Sequence, residues 1–153
     1  MDTPTVYEKT YEGGHEVGLM IRNTGRLSAR FSVECSVVGQ RNPRWDVDRT
    51  AMRQPYTILP VCTIAGRDST EAQVGRTYLY DKTILAFGLV RNDAGVVTWH
   101  SNDRVDGANP PEWDLRVTVW RHGWLGGKQE VATGKYAIVV RDGKPILRAR
   151  TSW

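Results

Sequence analysis

At 153 residues, with 40% of them apolar and 25% charged, the chain has the size and balance of one globular domain with a full core, which excludes general disorder. No apolar run approaches the roughly 18 residues of a membrane span, so a membrane partner is not expected. The net charge of +4 rests on 16 Arg and 5 Lys against 17 acidic residues; it comes without a block of like charges, which argues against a nucleic-acid arm.

The first residues, MDTPTVYEKTYEGG, carry neither a basic n-region nor an apolar h-region. A cytoplasmic protein is expected, unless a leader has been removed and a Met added. Thr5 to Tyr11 is β-branched and aromatic and reads as a first strand, stopped by Gly13-Gly14. His15 to Arg22 alternates, with His15, Val17, Leu19 and Ile21 on one side, and ends near the turn signal Asn23-Thr24-Gly25. Ser28 to Val37 is the clearest strand in the chain. Ala29, Phe31, Val33, Cys35 and Val37 alternate without a break with Ser28, Arg30, Ser32, Glu34 and Ser36. One face is expected in a core and the other in water.

Trp45 to Asp48 fits a short edge strand, and Thr50 to Gln54 one helical turn before Pro55. Tyr56 to Ile64 is β-rich, but Pro60 cannot donate to a ladder, so an edge strand or a bulge is expected. Gly66 to Gly75 reads as a polar loop with one helical turn at Ser69 to Gln73, followed by a short strand, Thr77 to Tyr80. Thr83 to Arg91 and Val96 to His100 flank turn residues and predict a hairpin. Ser101 to Glu112, polar and ending in Pro-Pro, reads as a surface loop. In Trp113 to Trp120, the residues Trp113, Leu115, Val117 and Val119 alternate with Asp114, Arg116, Thr118 and Trp120, and HGWLGG (122–127) is a turn. Lys135 to Arg141 and Lys144 to Arg150 flank Asp142-Gly143, the strongest hairpin signal present.

About ten short strands at regular spacing predict a single all-β domain over 1–153, an antiparallel β-sandwich with at most one or two helical turns. Ile21 to Val33, IRNTGRLSARFSV, resembles the strand-turn-strand signature of bacterial immunoglobulin-like domains of the CARDB and chaperone-like type. Trp45, ten residues after Cys35, loosely resembles the Cys-to-Trp spacing of immunoglobulin domains; a second Cys at the matching distance and the Tyr-x-Cys corner are missing. The resemblance implies an immunoglobulin-like sandwich and does not by itself imply a function.

Motifs for catalysis are sparse. His15, His100 and His122 form no H-x-H or H-E-x-x-H pair, and there is no G-x-S-x-G. Cys35 and Cys62 are too few for a zinc site; Cys35 reads as a small buried hydrophobe, and a Cys35–Cys62 disulfide is disfavoured in a reducing compartment. Asp46 and Asp48 share one face of their strand, which is more often a solvated edge than a coupled acid pair. The oxygens of Asp103, Asp106 and Asn109 are the only calcium option; no cofactor and no other metal is expected. The aromatics carry more. Six Trp and six Tyr stand against two Phe, and five of the Trp lie from residue 99 onward. Trp120 falls on the polar face with Arg116, and Trp124 lies in a Gly-flanked turn, so an outward aromatic with Arg offers an interface anchor. The expected function is a non-catalytic module that binds another protein or assembles with itself through Arg116, Trp120, Trp124, Trp99 and His100. A carbohydrate- or ligand-binding sandwich using Trp99, Trp120, Trp124 and the 101–112 loop is the alternative. Nucleic-acid binding on an Arg and aromatic sheet face ranks behind it.

Overall fold

The structure, a computed structural model, describes residues 3–41, 45–46, 55–78, 85–92, 95–100 and 110–151, with backbone only at 45–46, 86–92 and 95–100. Among these residues it is all-β. The strands are β1 (Thr5–Tyr11), β2 (Gly14–Arg22), β3 (Ala29–Arg41), β4 (Trp45–Asp46), β5 (Tyr56–Ile64), β6 (Ser69–Tyr78), β7 (Leu85–Asn92), β8 (Gly95–His100), β9 (Glu112–His122), β10 (Lys128–Arg141) and β11 (Lys144–Arg150). They form two antiparallel sheets. One has the order β1-β2-β6-β7-β8; the other has the order β11-β10-β9-β3-β4, with β5 also paired to β3.

The inner faces are those that alternation predicts. Phe31, Val33, Cys35 and Val37 of β3, Leu115, Val117 and Val119 of β9, and Ile138 and Val140 of β10 are all buried. Across from them the first sheet contributes Val17, Leu19 and Ile21 of β2 and Ala72 and Val74 of β6, and both sets belong to one core cluster. Burial of each such side chain is worth about 1.5–3 kcal/mol, so this shared layer dominates stability.

The Asp-Gly hairpin forms as read: Asp142 and Gly143 both have positive φ, 53° and 74°, the pair a tight two-residue turn between β10 and β11 requires. The β7–β8 hairpin also forms. Pro60 of β5 lies exposed on a strand whose pairing to β3 shifts register twice, the edge-and-bulge behaviour its missing N–H predicts.

Three expectations are corrected. Residues 69–75 are neither loop nor helical turn but part of β6, a ten-residue strand paired to β2 and β7. Of its buried positions, Ala72, Val74, Gly75 and Thr77, only Val74 is a branched apolar side chain, and the register with β2 shifts between Val17 and Gly18, so the alternation changes phase midway. The outer face of β3 is not simply wet: Ser32 is buried, and its hydroxyl lies 2.7 Å from His122 Nε2. At the end of the 101–112 segment, Pro110 and Pro111 are buried, and Glu112 opens β9 with contacts of 3.2 and 3.5 Å to Arg148 and Arg150. The expected helical turn at 50–54 lies outside the described residues.

Although IRNTGRLSARFSV reads as strand-turn-strand, β2 and β3 do not pair; the chain passes from one sheet to the other between them. It returns between β5 and β6. Asn23 ties the two crossings together. Its buried Nδ2 donates to the Leu27 and Ile64 carbonyls, 2.9 Å each, and its Oδ1 accepts from Gly25 N at 3.0 Å. Its backbone N–H donates to Asp68 O and its carbonyl accepts from Arg67 N, both at 2.9 Å. At Gly66, on the facing loop, a Cβ would run into the Arg26 carbonyl, so only glycine permits the approach.

Two outcomes test this architecture. Asn23→Ala leaves the Leu27 and Ile64 carbonyls without their donor and should destabilise by about 2 kcal/mol or more in denaturant melts; a loss below the error of the melt would mean the two crossings do not depend on it. Val117→Asp, at a position 2% exposed, buries a lone charge and should cost several kcal/mol, about enough to unfold a domain of ordinary stability. A soluble Val117→Asp variant melting at the wild-type temperature would contradict the register of β9.

Candidate functional site

Strands β9 and β10 run past the core. Beyond Val119 the ladder continues through Trp120↔Glu130, Arg121↔Gln129 and His122↔Lys128, with the register shifted between Glu130 and Ala132. The turn closes through Gly123 N–H to Gly127 O at 2.7 Å and bends at Gly126, whose φ of +89° suits glycine. Trp124 and Leu125 ride on this tip, 93% and 102% exposed. Arg30 of β3 reaches across: its guanidinium donates to Gly123 O at 2.6 Å and lies 5.8 Å from the Trp124 ring centroid. The ring is thus held beside a cation yet left almost wholly in solvent. An open recess of about 550 Å³ runs along the base of the tip, lined by Arg121, His122, Trp124, Leu125 and Lys128 among others.

The residues expected to form a site separate in the fold. Trp120 is on the outer face of its sheet as expected, but half-buried: Lys128 Nζ lies 4.4 Å over the ring, and the same ammonium is 3.7 Å from Glu34. The indole Nε1 is buried without a hydrogen-bond partner. Arg116 is exposed on that face but stands four residues away, roughly 13 Å along an extended strand. The cation beside Trp124 is therefore Arg30, not Arg116, and the one over Trp120 is Lys128. Neither was legible as an aromatic partner, because Arg30 and Trp124 are 94 positions apart in sequence and meet only through the β3–β9 pairing. Trp99 and His100 lie on β8, the edge of the other sheet, and His100 pairs with Ala86 at the end opposite the tip. They do not join the hairpin. Asp103, Asp106 and Asn109 lie outside the described residues, as does Asp48.

The remaining candidates have packing roles. His15 Nδ1 lies 3.0 Å from Thr10 Oγ1 at the rim of β2. The Ser32–His122 pair has the contact of a nucleophile and base, but among the described residues no carboxylate stands behind the imidazole to orient it, and the hydroxyl is buried. No group of three His, Cys, Asp or Glu within metal-holding reach occurs among the described residues. Cys35 and Cys62 are both free thiols. Burial pushes the Cys35 thiol up to about 12, only partly offset by the hydroxyl of Tyr56, which donates to Sγ at 3.3 Å. A buried neutral thiol is a poor nucleophile. Burial also raises Cys62 and, more strongly, Tyr56.

Around the tip, the crossings that Asn23 joins complete one end of the molecule. Ala29 pairs with Ile64 and Arg30 with His122, so the loops 23–28 and 65–68 and the tip all lie at this pole. Leu27, 82% exposed, sits on the first of these loops. No helix among the described residues is long and apolar enough to cross a membrane. Comparison with protein-family models, with curated proteins and with solved structures finds no match for this chain.

The buried thiol and phenol set an alkaline limit. Cys35 stays neutral in the fold to about pH 12, while the unfolded chain releases its proton near the ordinary value of 9.0. The contribution of this thiol to stability is therefore flat below pH 9 and falls above it, by at most about 1.4 kcal/mol per pH unit. Melting temperatures from pH 7 to 11 should show that bend, and a thiol reagent at pH 8 should modify Cys62 but reach Cys35 only on unfolding. Rapid native labelling of both would place Cys35 outside the core.

Proposed function

We propose that this chain is a non-catalytic binding module, an immunoglobulin-like β-sandwich that docks through the β9–β10 tip onto a larger partner surface. The observation that carries the reading is the pair Trp124 and Leu125, adjacent, almost fully exposed and contributing nothing to the core. Monomeric proteins seldom leave two large apolar side chains side by side at a projecting tip without a use for them. Interface energy concentrates in Trp and Arg anchors, and here Trp124 and Arg30 are already in place. Two antiparallel sheets packed around one core are what the immunoglobulin-like reading requires.

The glycan alternative draws less support. It needs Trp99, Trp120 and Trp124 on one platform, whereas Trp99 is on the other sheet and Trp120 lies under Lys128. A projecting tip also suits insertion into a partner better than enclosure of a small ligand. A protein partner or self-assembly remains within the proposal.

The chain should be retained on material from its own cells, as a co-purifying complex or in a sedimenting fraction. Trp124→Ala should weaken that retention by more than about tenfold with the melting temperature nearly unchanged. Intact retention would move the binding site elsewhere, and a collapse in stability would make Trp124 a structural residue.

A further inference from the structure

We infer that the pole formed by the β9–β10 tip and the loops 23–28 and 65–68 docks on an anionic lipid surface, with Trp124 and Leu125 entering the boundary between headgroups and acyl chains. This rests on the docking reading above and names its partner. Among the described residues the exposed large hydrophobics are Leu27, Val61, Trp124 and Leu125. Three of them lie on loops of this pole, and Val61 is three residues from the end of β5 that reaches it. Among the described turns, Glu12-Gly13 and Asp142-Gly143 at the opposite pole carry none.

The charge follows the same geography. Segments 22–30, 65–68 and 121–128 hold Arg22, Arg26, Arg30, Arg67, Arg121 and Lys128 against a single acid, Asp68. With Glu34, 3.7 Å from Lys128 Nζ, and Glu130, paired with Trp120, this end holds six basic residues against three acidic ones and so most of the chain's net +4. Arg22, Arg26, Arg67 and Arg121 are exposed, whereas the carboxylate of Asp68 is turned back onto Ser69 N–H at 2.8 Å. Arg67 has a left-handed backbone, φ 67°, fixed by N–H bonds to the Asn23 and Gly25 carbonyls, so its position is built into the crossing.

A ring of basic residues around protruding apolar ones matches a bilayer with acidic headgroups. Trp settles at the headgroup level, Leu reaches the acyl chains, and each nearby Arg or Lys adds attraction to acidic lipid. Other polyanions fit less well. Nucleic acid would take the Arg side chains and stack Trp124 but leave Leu27, Val61 and Leu125 in water. An acidic protein would need one receptor shaped to several separate loops, whereas a fluid lipid plane meets them all. With only a few side chains inserted, binding is reversible and depends on the basic ring.

The test is sedimentation of the full chain with vesicles of phosphatidylcholine, with and without phosphatidylserine. Binding to the mixed vesicles is expected, at least about tenfold weaker on phosphatidylcholine alone and lost at high salt. A Trp124→Ser, Leu125→Ser double variant should lose more than about tenfold in affinity at an unchanged melting temperature. Arg26→Glu with Arg67→Glu should remove the preference for the acidic lipid. No binding to the mixed vesicles, or binding indifferent to the tip, overturns the inference, as does stronger capture by soluble duplex DNA than by vesicles. If vesicles are ignored while retention on cell material still requires Trp124, the partner is an acidic protein and only the lipid assignment falls. If neither depends on Trp124, the docking reading falls with it.

Discussion

One buried asparagine holds together two of the three places where the chain changes sheets. Asn23 is 4% exposed, and both of its side-chain polar atoms are satisfied by backbone of its own loop and of β5. Two antiparallel sheets can pack through apolar contacts alone, but those contacts are non-directional and tolerate sliding. Directional bonds from one side chain to Ile64 and Leu27, together with the backbone bonds to residues 67 and 68, fix where β2 ends relative to β5 and where β3 and β6 begin. An amide with three well-placed partners is costly to bury unless all are made, so the crossing has one arrangement.

That constraint also shapes the pole. With the 23–28 and 65–68 loops locked to each other, the N-terminal end of β3 has a defined position, and so does Arg30 on it. Arg30 then caps the turn carbonyl of Gly123 from a neighbouring strand. The tip itself has little to hold it: past Val119 only the half-buried Val131 packs against the core, and Gly123, Gly126 and Gly127 add no side chains. Its order comes from the ladder, from Lys128 lying across Trp120, and from Arg30.

The inner faces and the hairpins were legible because both depend on local pattern. Period-2 alternation in 28–37 and 113–120 and the Asp142-Gly143 turn each signal themselves within ten residues. What was hidden depends on register between distant strands. β6 carries Ala72, Val74 and Thr77 inward, and its shifted register against Val17 and Gly18 changes the phase. A window of alternation then sees two short fragments and a polar stretch. The sheet change after Ile21 was hidden because Asn-Thr-Gly marks a turn without specifying whether it joins neighbours or crosses a core. On the outer face, Trp120 and Arg116 share a side as read, but the cations that meet the tryptophans come from β3 and from the far arm of the hairpin. The residue types of the candidate site were visible, and their partners were not.

Leaving Trp124 and Leu125 in water has an energetic meaning. Each would add about 1.5–3 kcal/mol if buried on folding, and the fold forgoes that gain. The same free energy is available when the tip meets an apolar phase, because the side chains arrive already ordered on a closed turn. The basic residues around the tip serve both states. In water, like charge at the pole opposes direct contact between the tips of two molecules. Against an anionic surface it changes from repulsion to attraction. In the docking proposed above, one arrangement of charge around one pair of apolar residues would oppose tip-to-tip contact in water and select negative surfaces.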